Sequence, residues 1–149
     1  MKTLPLPAIS GTSRRAVLMT AAAVAVFPGH GAQAQSPVST HVELKAAAKN
    51  CVDVGDVCLK HCIRLTTAGD KSLLDCLRTT RAMLVVTTAM AGFAEQDAKH
   101  LKALAKVCLD VCTDCEAECR KHESHHVECK NCVQACVAMI VQVKKLLAA

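Results

Sequence analysis

Residues 107–120, VCLDVCTDCEAECR, are the most informative stretch of this chain. Their cysteines are separated by steps of four, three and four residues, which is the spacing of one face of an α-helix. Residues 128–136, ECKNCVQAC, continue the pattern with steps of three and four. Each run therefore aligns its sulfur atoms in a row along one side of a helix. Two such rows would form a surface that binds a soft metal ion. The aligned residues are Cys108, Cys112, Cys115 and Cys119, followed by Cys129, Cys132 and Cys136.

Turn and cap residues divide the rest of the chain into helices. Thr40 and Glu43 form a capping-box pattern, and Gly69 followed by Asp70 indicates a C-terminal glycine and then the N-cap of the next helix. Gly92 is expected to end the second helix, and Ser124 to cap the fourth. Short turns make neighbouring helices antiparallel, so the sequence predicts an all-α, up-down-up-down four-helix bundle. The predicted helices lie near residues 41–67, 71–91, 95–121 and 125–147.

The first 34 residues have the features of an export signal. Arg14 and Arg15 precede an apolar run through Phe27, and residues 32–34, AQA, match a small-x-small cleavage pattern. The apolar run is shorter than the ~20 residues that span a bilayer. Paired arginines favour a twin-arginine signal, with an ordinary secretory signal as the alternative. We therefore expect an export signal at residues 1–34, a cysteine-rich domain at 35–149, periplasmic location, and no membrane segment after cleavage.

Composition argues against a nucleic-acid partner. The formal net charge of the 149-residue chain is +5, and removing Lys2, Arg14 and Arg15 with the signal leaves +2. Residues 35–149 contain a single aromatic residue, Phe93, so bases have almost no stacking surface.

All eleven cysteines are predicted to lie at one end of the bundle. In an up-down-up-down topology, four segments meet at that end. They are the second half of the first helix, the start of the second, the second half of the third and the first half of the fourth. The remaining cysteines are Cys51, Cys58, Cys62 and Cys76, and Gly55 occupies the open position of the first helix's stripe. The histidines at that end are His61, His122, His125 and His126. The opposite end is predicted to be aliphatic, formed by Leu84, Val85, Leu101, Leu104, Ile140, Val143, Leu146 and Leu147.

Several interpretations compete for the cysteine cluster. A disulfide framework fits an exported, cysteine-rich chain, but the cysteine count is odd and disulfide scaffolds are poor in long helices. Plain core packing suits one or two cysteines rather than eleven. An iron–sulfur run would have different spacing and a following proline. Zinc sites take four ligands each, which does not explain continuous rows. Copper(I) suits the rows best, because neighbouring thiolates can bridge successive ions.

A family resemblance supports the copper interpretation. Residues 50–62, NCVDVGDVCLKHC, resemble the first cysteine helix of bacterial copper storage proteins, and residues 111–119 and 128–136 resemble the later helices. The twin-arginine-exported form of the family is the most similar. The resemblance implies a four-helix bundle, often a homotetramer, that stores several copper(I) ions per chain on cysteine thiolates without catalysing a reaction. It also implies that His61 lies at the open end, where copper enters.

The chain departs from the family pattern in its second and fourth helices. After Cys76 the stripe continues with Thr80, Met83, Thr87 and Met90, and after Cys136 with Met139 and Val143. We interpret this as a shortened store. Met83, Met90 and Met139 are either weak thioether ligands or core residues. His122, His125 and His126 either assist copper uptake or are simply solvated.

Two rival functions remain open on sequence alone. One is a copper or heavy-metal chaperone of low stoichiometry, whose recipient would have to be found. The other is a thiol redox protein that uses Cys129 and Cys132 near a helix N-terminus. Since no catalytic triad, phosphate loop or carboxylate pair is visible, we do not expect an enzyme.

Overall fold

The structure, a computed structural model, describes residues 41–149. Four helices follow one another along this part of the chain, with a short 3-10 turn, Lys71–Leu73, before the second. Each helix packs against its two neighbours in a closed ring, α1 on α2, α2 on α3, α3 on α4 and α4 on α1. The predicted four-helix bundle is confirmed. The predicted export signal lies outside the described residues. The helices are α1 (Val42–Thr67), α2 (Leu74–Glu95), α3 (Leu101–Arg120) and α4 (Val127–Ala148).

The turn between α1 and α2 forms as predicted. Gly69 has φ +106°, a left-handed conformation that glycine adopts without steric cost. The Asp70 N–H donates to the Leu65 carbonyl and the Gly69 N–H to the Thr66 carbonyl, both at 3.1 Å. These two bonds form a Schellman motif, which satisfies the last carbonyls of α1. The Asp70 carboxylate then accepts the Ser72 N–H at 2.9 Å and caps the next segment.

The turn between α2 and α3 differs from the prediction. Helix α2 continues through Gly92 to Glu95, and Asp97 takes the left-handed position with φ +46°. The Ala98 N–H donates to the Phe93 carbonyl, so Asp97 occupies the place that a terminal glycine would take. Aspartate tolerates this conformation better than most residues. The prediction that Gly92 ends the helix was therefore wrong, and α3 begins at Leu101 rather than near residue 95.

The predicted N-caps of α1 and α4 also need revision. Thr40 lies outside the described residues, and the residue preceding α1 is His41, which makes no side-chain cap bond. Ser124 does not cap α4, because α4 begins at Val127, after His126. His126 likewise makes no side-chain cap bond.

The end of the core away from the cysteines is less aliphatic than predicted. Leu101 and Val143 are buried there, but Val85 is 69% exposed, so its assignment to the core was wrong. Val85 lies on the outer face of α2, whose inner stripe is formed by Thr80, Met83, Thr87 and Met90. Helix α4 has the length and apolar composition of a membrane span, and here its buried face packs inside the bundle. Leu44, Ala48, Ala94, Ala105 and Met139 complete this end of the core.

Two helical glycines allow a matched test of packing. A Cβ at Gly55 would lie 2.6 Å from the Met83 methyl and 3.0 Å from a Leu84 methyl, whereas a Cβ at Gly92 would meet nothing within 4 Å. We expect Gly92→Ala to stabilise the protein by about 0.5–1 kcal/mol, because alanine is the better helix former. We expect Gly55→Ala to lose that gain and destabilise by about 1 kcal/mol, because the added methyl overpacks the core. Urea unfolding of both variants measures the difference, and equal stabilisation of both would contradict the crowding at Gly55.

Candidate metal centre

All eleven cysteines lie in the described part of the chain, and all are free thiols with fully buried side chains. The helical spacing explains this arrangement, since each cysteine lies on the inward face of its helix. From Cys51 to Cys62, and again from Cys108 to Cys119, the rows extend about 16 Å along the bundle at 1.5 Å per residue. The predicted clustering of thiols is therefore present, without a disulfide framework.

The sulfur atoms of different helices approach closely. The Cys76 Sγ of α2 lies 3.4 Å from Cys119 Sγ of α3, 3.6 Å from Cys62 Sγ of α1 and 4.0 Å from Cys129 Sγ of α4. Cys115 Sγ of α3 lies 3.8 Å from Cys132 Sγ of α4. These distances are too long for a disulfide bond and typical of sulfurs that share a metal ion.

Three groups of thiols have their sulfur atoms within 4.8 Å of one another. One group has four members and joins α1, α2 and α4; the other two have three members each. Cys58 belongs to two groups, as does Cys132, so the groups form a continuous chain of ligands. The groups are Cys58, Cys62, Cys76 and Cys129; Cys58, Cys119 and Cys132; and Cys115, Cys132 and Cys136.

The polar and thioether residues of α2 line the same interior. Thr80 is fully buried, and its Oγ1 lies 3.6 Å from Cys115 Sγ and 3.9 Å from Cys119 Sγ. At the inner end of the rows, Cys51 Sγ lies 3.3 Å from Met83 Sδ. The Met83 methyl occupies the space that Gly55 leaves open. Of the three methionines singled out in the sequence, Met83 is thus in direct contact with a thiol.

Histidines cover the outer end of the thiol rows, which we call the mouth. His61 Nε2 lies 3.1 Å from His126 Nδ1, and His61 Nδ1 lies 3.1 Å from Glu128 Oε1 and 3.2 Å from Arg64 Nη2. The His122 and His126 rings are 6.4 Å apart, centre to centre. His125 is exposed. The sequence predicted histidines at this end, but it contained no signal for the contact with Glu128.

Burial and mutual hydrogen bonding shift the thiol pKa values. The hydrogen bond with Cys112, together with burial, raises the pKa of Cys51 to about 12. The same two causes raise the pKa of Cys108. Cys76 is shifted in the opposite direction, because hydrogen bonds from Cys119 and Cys129 to its sulfur lower its pKa. Burial and hydrogen bonding therefore shift the pKa values of neighbouring thiols in opposite directions, so protons are shared unevenly across the cluster.

Comparison with known families agrees with this geometry. Residues 38–148 match the copper storage protein family. The chain belongs to that family. The match spans all four helices and therefore the cysteine rows and the mouth.

One cysteine-rich protein and two solved copper storage proteins are similar to this chain. The chain is 26% identical over 106 residues to the uncharacterized cysteine-rich protein YhjQ of Bacillus subtilis. The aligned part covers 70% of this chain and 95% of YhjQ. It matches the copper(I)-bound copper storage protein BsCsp3 with 25% identity and a TM-score of 0.63, over 71% of this chain and 95% of that one. It shares the fold of Ccsp from Streptomyces lividans, solved with 10 copper equivalents, with 24% identity, a TM-score of 0.66, and 78% and 92% coverage.

Proposed function

We propose that this protein stores copper as copper(I), with several ions per chain bound by its cysteine thiolates. The observation that carries the proposal is the continuous set of buried thiol groups that share Cys58 and Cys132. Membership of the copper storage family supports it. The proposed ligands of stored copper are the eleven cysteines, and His61 at the mouth is proposed to bind copper in passing during uptake.

The extent of the thiol cluster favours storage over delivery by a chaperone. A chaperone needs one ion near the surface, where a partner can reach it. Here the rows extend about 16 Å into the bundle at 1.5 Å per residue. Cys51 and Cys136 lie at the deep end and are fully buried. Thiols this far from solvent suit retention of many ions rather than rapid transfer of one.

Thiol chemistry explains how charge remains balanced during loading. Each bound copper(I) ion needs thiolate ligands, so binding displaces protons. A thiol whose pKa is raised stays protonated at neutral pH. Copper must therefore displace its proton in order to bind. Copper affinity is therefore expected to rise with pH and to fall in acid. Ions and thiolates accumulate together, which avoids an excess of buried negative charge.

Anaerobic copper(I) titration of the reduced protein tests storage directly. We expect several equivalents per chain, in competition with a copper(I) chelator of known affinity, because eleven thiols are available. A parallel thiol count establishes that the protein is reduced. Binding of one equivalent or none would exclude storage and favour the chaperone alternative.

The mouth histidines support a role in copper uptake. His61 is 9% exposed and lies in the sequence beside Cys62, while Glu128 at 3.1 Å orients its ring. We expect His61→Leu to slow copper loading several-fold while leaving the final capacity unchanged, as stopped-flow loading and endpoint titration would show. His125→Leu is the matched control because His125 is exposed. Equal rates in the two variants would contradict the assignment.

The remaining parts of the proposal concern catalysis and location. We propose that the protein is not an enzyme. Cys129 and Cys132, the candidate redox pair, are fully buried, and they belong to different thiol groups, with Cys129 Sγ 4.0 Å from Cys76 Sγ and Cys132 Sγ 3.8 Å from Cys115 Sγ. A disulfide reductase assay tests this rival.

We also propose that residues 1–34 direct twin-arginine export to the periplasm. Fractionation of cells that carry the Arg14→Lys/Arg15→Lys variant tests this. Export of a folded chain would protect the thiols from oxidation.

A further inference from the structure

Beyond copper storage, we propose that the four-cysteine group at the mouth is a tetrahedral site that binds one zinc ion in the copper-free protein. The site consists of Cys58, Cys62, Cys76 and Cys129, the four-member group among the described residues. This inference does not depend on copper being stored, and its test separates the two.

The sulfur geometry fits zinc. Zinc–sulfur bonds of about 2.3 Å in a tetrahedron place sulfur atoms about 3.8 Å apart. Cys62 and Cys76 are 3.6 Å apart, and Cys76 and Cys129 are 4.0 Å apart. All four sulfurs lie within 4.8 Å of one another, so the group closes around an ion by side-chain adjustment alone. Structural zinc sites with four thiolates and no open position have this composition.

Coordination number distinguishes this group from the rest of the cluster. The two deeper groups have three sulfurs each, which suits copper(I) and leaves a zinc ion one ligand short. Cys58 also belongs to one of the three-sulfur groups, so zinc at the mouth competes with copper for that thiolate. We therefore expect each chain to bind one zinc ion but several copper ions.

Helix ends stabilise the charge of such a site. Zinc with four thiolates carries a net charge of −2. Cys76 is the third residue of α2, and Cys129 is the third residue of α4. The N-terminal turn of a helix carries partial positive charge, which stabilises a thiolate there. Two of the four ligands therefore lie where negative charge is favoured.

The test is an anaerobic titration of the reduced full chain with Zn²⁺ against a chromophoric chelator, and with Co²⁺ as a spectroscopic probe. We expect one equivalent of each, and for Co²⁺ the intense visible absorption of a tetrahedral tetrathiolate site. Cys76→Ser and, independently, Cys129→Ser are expected to abolish that absorption and to weaken zinc binding by about 100-fold or more. Cys108→Ser removes a buried thiol outside all three groups and is expected to leave both unchanged.

Two further measurements make the result decisive. Circular dichroism establishes that each variant keeps its helices, and adding copper(I) to the zinc-loaded protein is expected to release the zinc, because copper(I) is the softer ion. No zinc binding, binding of two or more zinc ions, or equal losses in Cys76→Ser and Cys108→Ser would overturn the proposal. Copper titration of the same samples reports storage separately, so failure of the zinc site leaves that result standing.

Discussion

Replacing the four cysteines of α3 with serine is expected to lower the copper capacity by about half or more, a larger share than the fraction of thiols removed. The reason is geometric, because Cys119 and Cys115 are members of the two three-sulfur groups. Without them, Cys132 and Cys136 lose their shared partners on α3. The group of four at the mouth contains no α3 residue and would remain. Anaerobic copper(I) titration against a chelator measures the loss.

Single substitutions provide the matched control for this prediction. Cys58→Ser removes a thiol shared by two groups, whereas Cys108→Ser removes one that belongs to none of the three. We expect the first to cost more copper than the second. Serine is polar and these sites are fully buried, so circular dichroism is needed to establish that each variant folds. If the serine variant of α3 unfolds, the same four positions are replaced with alanine instead. A loss of copper that simply follows the number of thiols removed would argue against discrete shared groups.

Copper loading is expected to raise the melting temperature by about 20 °C or more. A ligand at 1,000 times its dissociation constant stabilises the folded state by about 4 kcal/mol per site. For a domain of this size, each kcal/mol shifts the melting temperature by about 4–8 °C. Copper also links helices that the metal-free protein joins by packing and polar contacts, since the sulfurs of Cys76, Cys119 and Cys129 come from three of them. Anaerobic thermal melts at increasing copper ratios measure the shift.

The metal itself supplies the control for the thermal prediction. Sodium or magnesium ions at the same concentration are expected to leave the melting temperature unchanged, because hard ions do not bind thiolates. Addition of excess copper(I) chelator is expected to reverse the shift. A melting temperature that does not respond to copper would mean that the ions bind the unfolded chain as tightly as the bundle, which would contradict a preformed store.

The sequence predicted correctly the features that depend on neighbouring residues. The three- and four-residue steps placed the cysteines on one helical face, and all eleven are buried. Gly69 and Asp70 ended one helix and capped the next segment as expected. The prediction failed at Gly92 because residues other than glycine can adopt the left-handed conformation that ends a helix. Asp97 adopts it here. The prediction failed at Val85 because this residue lies two positions from both Met83 and Thr87 of the inner stripe, which places it on the outer face of α2.

Residue spacing along the chain therefore sets the inward faces of the helices and the end of the bundle at which the thiols gather. Packing of the helices against one another sets which sulfurs form a group of four and which form groups of three. It also decided that Met83 contacts Cys51 beside Gly55 and that Glu128 contacts His61. The physical reason is that helical periodicity is a local property of the chain. Distances between sulfur atoms on different helices depend instead on the rotation and axial shift of each helix, which packing of the whole core sets.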